Sequence, residues 1–259
     1  MKITHAVWEM RNLGVDAYET LLTEEDTLQA YAEAEREMLA KGAEYLVVKT
    51  PVNCPPFLFG LPSLGYANIE TVFHVAIRRD EYHMPASVAR FDRGLGVSEL
   101  QSAEERERVY RLIRSGVFKS DRVSVDPSFS AAQAGNRYAN WLAQMLERGG
   151  KLFEVQQGEK PIGFFVIMRV DEQTVDPVLM GMYDEAKDRG MGALLHKKTL
   201  DTCFEQPCAR LTSTIVSNNA KVLRVYTNAG ATIADTLYTY VKHAHPAEPD
   251  AGKPDREAR

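Results

Sequence analysis

The feature that most restricts the fold of this chain is the order of elements written into residues 181–240. It reads strand, glycine loop, helix, strand, helix, strand. An apolar run at 178–182 leads into Lys187-Asp188-Arg189-Gly190-Met191-Gly192-Ala193, and that loop leads directly into the helix-forming stretch 194–203. Glycines at such a junction let the backbone turn tightly from strand into helix with no Cβ in the way. The first-turn amides have no partner inside the helix and point outward with the positive end of its dipole. That combination suits a pyrophosphate. Another glycine pair, Gly94-Leu95-Gly96, has no strand before it and a charged stretch around it, and reads as a loop only.

Farther on, Ser217-Asn218-Asn219-Ala220 opens a second helix that carries Tyr226 and stops at Asn228-Ala229-Gly230. Asn219 and Tyr226 are two helical turns apart and so share a face. Tyr226 also belongs to the apolar stripe Val222, Val225, Tyr226, Ala229, so its ring is expected to be packed whatever else it does.

The net charge of −5 and pI near 5.8 argue against general nucleic-acid binding, which needs a clustered basic face. No run approaches the ~20 apolar residues of a membrane span, and the N-terminus lacks a basic-then-apolar signal pattern. Three cysteines cannot all pair, and no His joins Cys203 and Cys208 at metal-ligand spacing. Reduced thiols, no metal and a cytoplasmic location are the expectation.

A length of 259 residues admits one large domain or two small ones. Residues 23–41 show helical spacing at Leu28, Tyr31, Ala34 and Met38 behind an N-cap at Thr23. Segments 45–49 and 69–77 are strand-like, and the four prolines of 51–62 argue against regular structure between them. A small α/β domain over 1–95 is expected, with a polar linker at 78–100. A second domain over 102–242 begins with amphipathic helices at 104–115 and 130–148. Strands at 151–155 and 161–170 flank the hairpin signal Gln157-Gly158-Glu159-Lys160, and strands at 175–182 and 211–216 follow. The tail 243–259 has nothing to bury and is expected to be disordered.

In order and spacing, the loop at 187–193 and the Asn219…Tyr226 helix resemble the GNAT (GCN5-related N-acetyltransferase) superfamily, over roughly 105–242. The resemblance implies an α/β GNAT fold, a mixed and mostly antiparallel sheet flanked by helices, behind the smaller N-terminal α/β domain. Residues 121–130, with Tyr138 and Trp141 after them, are similar to a stretch in TDP-fucosamine acetyltransferase and its relatives. Leu64-Gly65-Tyr66 and Tyr238-Thr239-Tyr240 are similar to the same group. Lys187 stands where the superfamily favours Gln or Arg, Met182 replaces a Val, and Ala231 replaces a Phe.

The resemblance implies acetyl-CoA as co-substrate and a primary amine as acceptor. Pantetheine would lie against the backbone near Met180 and Met182. The pyrophosphate would sit on the amides of Lys187, Asp188, Arg189, Gly190, Met191, Gly192 and Ala193. Asn219 would hold the thioester end, and Tyr226 would protonate the departing thiolate. Tyr183, Glu185 and Asp235 are candidates for the base that frees the amine. The subgroup implies a TDP- or UDP-linked amino sugar, for whose diphosphate Arg78, Arg79, Arg93, Arg122 and Arg137 are available. The alternatives are acylation of an amino acid, a peptide or an antibiotic-like amine, or a GNAT-fold binding module without turnover. A homodimer is left open.

Overall fold

Every strand among the described residues joins one sheet. The computed structural model describes residues 1–90, 94–187 and 191–244, apart from the side chains of Glu185 and Lys187. The strands are β1 (Lys2–His5), β2 (Ala17–Leu21), β3 (Tyr45–Pro51), β4 (Ala67–Arg78), β5 (Leu95–Glu99), β6 (Lys151–Gln157), β7 (Lys160–Arg169), β8 (Thr174–Met182), β9 (Arg210–Val216) and β10 (Thr232–His243). They stand in the order β1-β2-β3-β10-β4-β9-β8-β7-β6-β5. Only β2–β3 and β8–β9 are parallel pairs, so the sheet is mixed and mostly antiparallel.

Alternation along the central strands supplies a core on each face. Phe165 and Ile167 of β7 go to one side, Phe164 and Val166 to the other. The first side is covered by α2 (Leu28–Ala40), α3 (Pro55–Ser63), α4 (Ala86–Ala89), α9 (Gly192–Glu205) and α10 (Ala220–Asn228). The second is covered by α1 (Val7–Leu13), α5 (Ala103–Arg114), α6 (Arg122–Val125) and α7 (Ala131–Glu147). A short α8 (Asp184–Lys187) follows β8. Ser102 and Ser130 close capping boxes at α5 and α7, each hydroxyl accepting from the third helical amide.

The division of the chain at 95–102 does not follow a break in the sheet. The C-terminal strand β10 lies between β3 and β4, and β4 pairs along its length with β9. The 78–100 stretch, expected as a linker, contains α4 and the edge strand β5. Gly94-Leu95-Gly96 is therefore not a bare loop: Gly94 turns at φ +82° and Leu95 starts the strand, its side chain buried.

Other local readings also change. The cap of α2 is Thr27, whose hydroxyl accepts from the Ala30 amide, and not Thr23. The proline-rich 51–62 stretch holds a helix, because Pro55 and Pro56 occupy its first turn, where no amide bond is lost. Residues 1–22, which gave no sequence signal, supply β1, α1 and β2. His243 ends β10 and bonds Asp126 at 2.9 Å, so it is not part of a loose tail. Residues 245–259 lie outside the described residues. The hairpin at 157–160 forms as read, with Gly158 at φ +59°. All three cysteines are free thiols and buried.

Candidate active site

Strands β8 and β9 are paired only at Thr174–Arg210 and Val175–Leu211. Beyond that point they diverge, while β8 stays bonded to β7 up to Met182. From Asp176 to Met182 the edge of β8 that faces β9 has no strand partner. Open backbone donors and acceptors there can take an extended ligand as an added strand. Two residues of β8, Pro177 and Val178, oppose the single Ile167, at a register shift between Val166 and Met168. Pro177 cannot donate to a ladder and fits such a bulge.

A cleft of about 870 Å³ opens into this gap. On the α9–α10 side it is lined by Met180, Gly181, Met182, Gly192, Leu195, His196, Ser213, Asn219, Val222 and Tyr226. Asn219, Val222 and Tyr226 reach it from successive turns, so the shared face read from the sequence is the face turned to the cleft. Asn219 stands at the N-cap of α10 without capping it, which leaves its side chain available. Tyr226 is buried, 2% exposed, and Ser213 lines the cleft beside it. Burial pushes that phenol well above its ordinary range and keeps it protonated. The His196 ring meets the Tyr226 ring edge-on, with centroids 6.0 Å apart. Burial lowers His196 to about 4, so it is neutral.

At the mouth, α9 starts at Gly192 behind Met191. Among the described residues a Cβ at Gly192 would meet only the Met182 sulfur, at 3.5 Å, which leaves the helix start open to them on the cleft side. Asp188, Arg189 and Gly190 lie outside the described residues, as does the side chain of Lys187.

Sequence reasoning missed Asp176. It lines the cleft next to the last β8–β9 pair, and burial raises its carboxyl to about 7. Its Oδ1 has no partner, and its charge acts on Tyr226. The signal was there: one carboxylate inside an apolar strand, directly before a proline. Two of the three proposed bases fall elsewhere. Tyr183 donates to Glu154 at 2.7 Å, beneath Arg108, and lines a separate depression. Asp235 is exposed on β10 and pairs with His74 at 3.3 Å. The side chain of Glu185 is outside the described set.

The other side of the cleft is built by the first half of the chain together with α6 and α7. Trp8, Phe118, Tyr138 and Trp141 face Glu19, Lys49, Glu70, Asp121, Arg122 and Arg137. Among the described residues no cluster of His, Cys, Asp and Glu could hold a metal ion, and no helix is long and apolar enough to cross a membrane.

No family model matches the sequence, and no curated protein matches it. Solved structures do match. A GCN5-related N-acetyltransferase from Kribbella flavida superposes with a TM-score of 0.56 at 13% identity, over 89% of this chain and 82% of that one. One from Sphaerobacter thermophilus gives 0.56 at 12% identity, over 85% and 68%. A tandem GNAT protein from the clavulanic acid biosynthesis pathway gives 0.54 at 13%, over 85% and 70%. The fold is the GNAT fold. At these identities the likeness is one of architecture, and the splayed β8–β9 pair is the part of the GNAT fold on which the cleft is built.

Proposed function

We propose that the protein transfers an acetyl group from acetyl-CoA to a primary amine. The observation that carries this reading is the gap between β8 and β9, with an open strand edge on one wall and Tyr226 on another. The residues present suit acetyl-CoA: the β8 edge from Asp176 to Met182 offers backbone groups to pantetheine, and the start of α9 at Gly192 offers unpaired amides to a pyrophosphate. When bound, that co-substrate supplies the activated acyl carbon.

The chain's own groups divide the proton work. Asp176, at about 7, takes a proton from the ammonium form of the acceptor. The freed nitrogen forms its bond to the acyl carbon as the carbon–sulfur bond breaks. Tyr226 donates its proton to the departing thiolate and regains one from the nitrogen, leaving one proton for solvent through Asp176. Environments that push two titrating groups apart are how such roles are assigned.

The nucleotide-linked amino sugar requires cations able to take a diphosphate. Arg122 and Arg137 both hold Glu9, and Lys49 holds Glu19 at 2.8 Å. Arg78 pairs with Asp80 in solvent, Arg79 holds the carbonyls of Gln206 and Cys208, and Arg93 is outside the described residues. Among the described residues these cations are engaged, so acetyl transfer to an amine is proposed with the nucleotide-linked amino sugar kept as one acceptor to be tested. The test is thiol release from acetyl-CoA across a panel of amines that includes a TDP-linked 4-amino sugar. Absence of thiol release with every amine, from folded protein that binds CoA, would leave only a binding module.

A further inference from the structure

The acceptor end of the cleft has a charge pattern that transfer to a simple amine does not use. Glu70 comes from β4, on the same face as Val72 and His74, all three lining the cleft. The side chain is buried, 6% exposed, and its Oε2 has no hydrogen-bond partner. Arg122 and Lys49 act on the carboxyl as cations, and Asp121 opposes them. Those cations are shared with other carboxylates, and the buried Arg122 Nε, like Glu70 Oε2, has no hydrogen-bond partner. Arg122 holds Glu9 and lies 3.9 Å from Glu19, while Lys49 holds Glu19. Asp121 accepts from the amides of Val123 and Ser124 and from Tyr138.

At this end, then, Glu9, Glu19, Glu70 and Asp121 stand against Lys49, Arg122 and Arg137, and Glu70 is the carboxyl left short of compensation. The balance shows in its acidity, raised to about 7 although two cations are near. A buried carboxylate with an unpaired oxygen is costly until a cation completes it. The walls beside it are aromatic: Trp8, already under the Arg137 guanidinium at 5.0 Å, with Tyr138 and Trp141. Aromatic faces take both methylene chains and cations.

Glu70 is not the group next to the chemistry. Glu70 is on β4 and Asp176 on β8, with β9 between them in the sheet, and it is Asp176 whose charge acts on Tyr226. Resting on the acetyl-transfer reading, we propose that the acceptor carries a second cationic group, held by Glu70 while another nitrogen reacts, so that the substrate class is a diamine or polyamine with an aliphatic spacer.

The experiment compares 1,5-diaminopentane and spermidine with pentylamine and the TDP-linked 4-amino sugar, for the wild type and for Glu70→Gln. The wild type is expected to prefer the diamines over pentylamine by at least about tenfold in kcat/KM, the size of one charge-assisted contact. Glu70→Gln should erase that preference, leave the pentylamine rate within a few-fold, and leave CoA-induced thermal stabilisation unchanged. Glu70→Asp, which keeps the charge, should retain part of the preference and covers the case in which the Gln variant does not fold. Equal rates for diamine and monoamine in the wild type overturn the proposal and leave the acetyl-transfer reading standing. So does a preference that survives Glu70→Gln, or the amino sugar emerging as the best acceptor. Should no amine be turned over, calorimetry of 1,5-diaminopentane with the CoA-loaded protein decides. Binding lost in Glu70→Gln then supports the cation site while the transferase reading fails, and no binding to wild type sinks both.

Discussion

Val72 of β4 is paired with Val216 of β9, so the strand beside the cleft's β9 wall comes from the first half of the chain. Val75 and Ile77 of the same strand are buried in the core that also contains Leu195, Leu211 and Tyr226. The last strand, β10, is bonded to β3 and β4 and not to β9. Neither half can complete the sheet without the other. A single calorimetric transition is expected for the whole chain, and a fragment starting at residue 95 should lack cooperative unfolding because β9 would lose one ladder and β10 both of its own. Two well-separated transitions, or a fragment that folds cooperatively alone, would show that the halves are independent.

Tyr226 separates chemistry from packing. Phenylalanine keeps the ring against His196 and removes the buried hydroxyl beside Ser213. Loss of a positioned acid costs ~10²–10⁴ in rate, or about 3–5 kcal/mol of barrier. The stability cost should be no more than about 1 kcal/mol, the size of one net hydrogen bond. Ser213→Ala removes the neighbouring hydroxyl instead and should show a similarly small stability loss with a much smaller loss of turnover. Near-normal kcat in Tyr226→Phe with an amine that the wild type acetylates would remove the catalytic role and leave the cleft.

Gly192 tests the phosphate end. Among the described residues its missing Cβ faces only the Met182 sulfur, at a distance of ordinary contact. Gly192→Val should therefore fold, with a melting temperature close to wild type, since helix-start strain is small. Its branched side chain would stand where a pyrophosphate meets the first amides of α9. CoA at a hundredfold excess over Kd stabilises the native state by about 2.7 kcal/mol, and that gain should vanish in the variant. Full retention of the thermal shift would mean that the start of α9 is only a turn.

The parts of the site that were legible in the sequence were those with a local signature. The run into Gly192 and the Asn219…Tyr226 face are written in consecutive residues, so their elements and their shared exposure follow from spacing alone. Glu70 and Asp176 were not legible in this way, because nothing adjacent in sequence says that β4 enters between β9 and β10. The alternation of Glu70, Val72 and His74 against Phe73, Val75 and Ile77 did mark a strand with two distinct faces. Which face met the cleft depended on partners far along the chain, as in the Thr71 amide donating to Ser217 (146 residues apart). The stretch expected as a linker holds structure for the same reason: polar, glycine-bearing composition at 78–100 describes an edge strand and a short helix as well as it describes a linker.

The buried titrating groups make stability depend on pH in two opposite ways. Asp176 is raised from 3.8 and Glu70 from 4.5, both to about 7, chiefly by burial. Around Glu70, Arg122 and Lys49 oppose that rise, Asp121 adds to it, and Tyr138 feels its charge. The native state thus holds these protons more tightly than the unfolded chain. Their contribution to stability is present in acid and is lost as pH climbs from about 4 to about 7. Burial lowers His196 from 6.5 to about 4, so its contribution is present above about 6.5 and is lost as pH falls toward 4. A tenfold difference in proton affinity between the folded and unfolded chain is worth ~1.36 kcal/mol, so each group commands at most about 3–4 kcal/mol. Asp176→Asn should accordingly raise the denaturation free energy more at pH 8 than at pH 5, by up to about 2–3 kcal/mol, while abolishing acetyl transfer. His196→Gln should flatten the acid limb without affecting pH 8. Urea melts of both variants at the two pH values measure this, and an Asp176→Asn protein destabilised equally at pH 5 and pH 8 would show that the carboxyl is not the uncompensated group its surroundings make it.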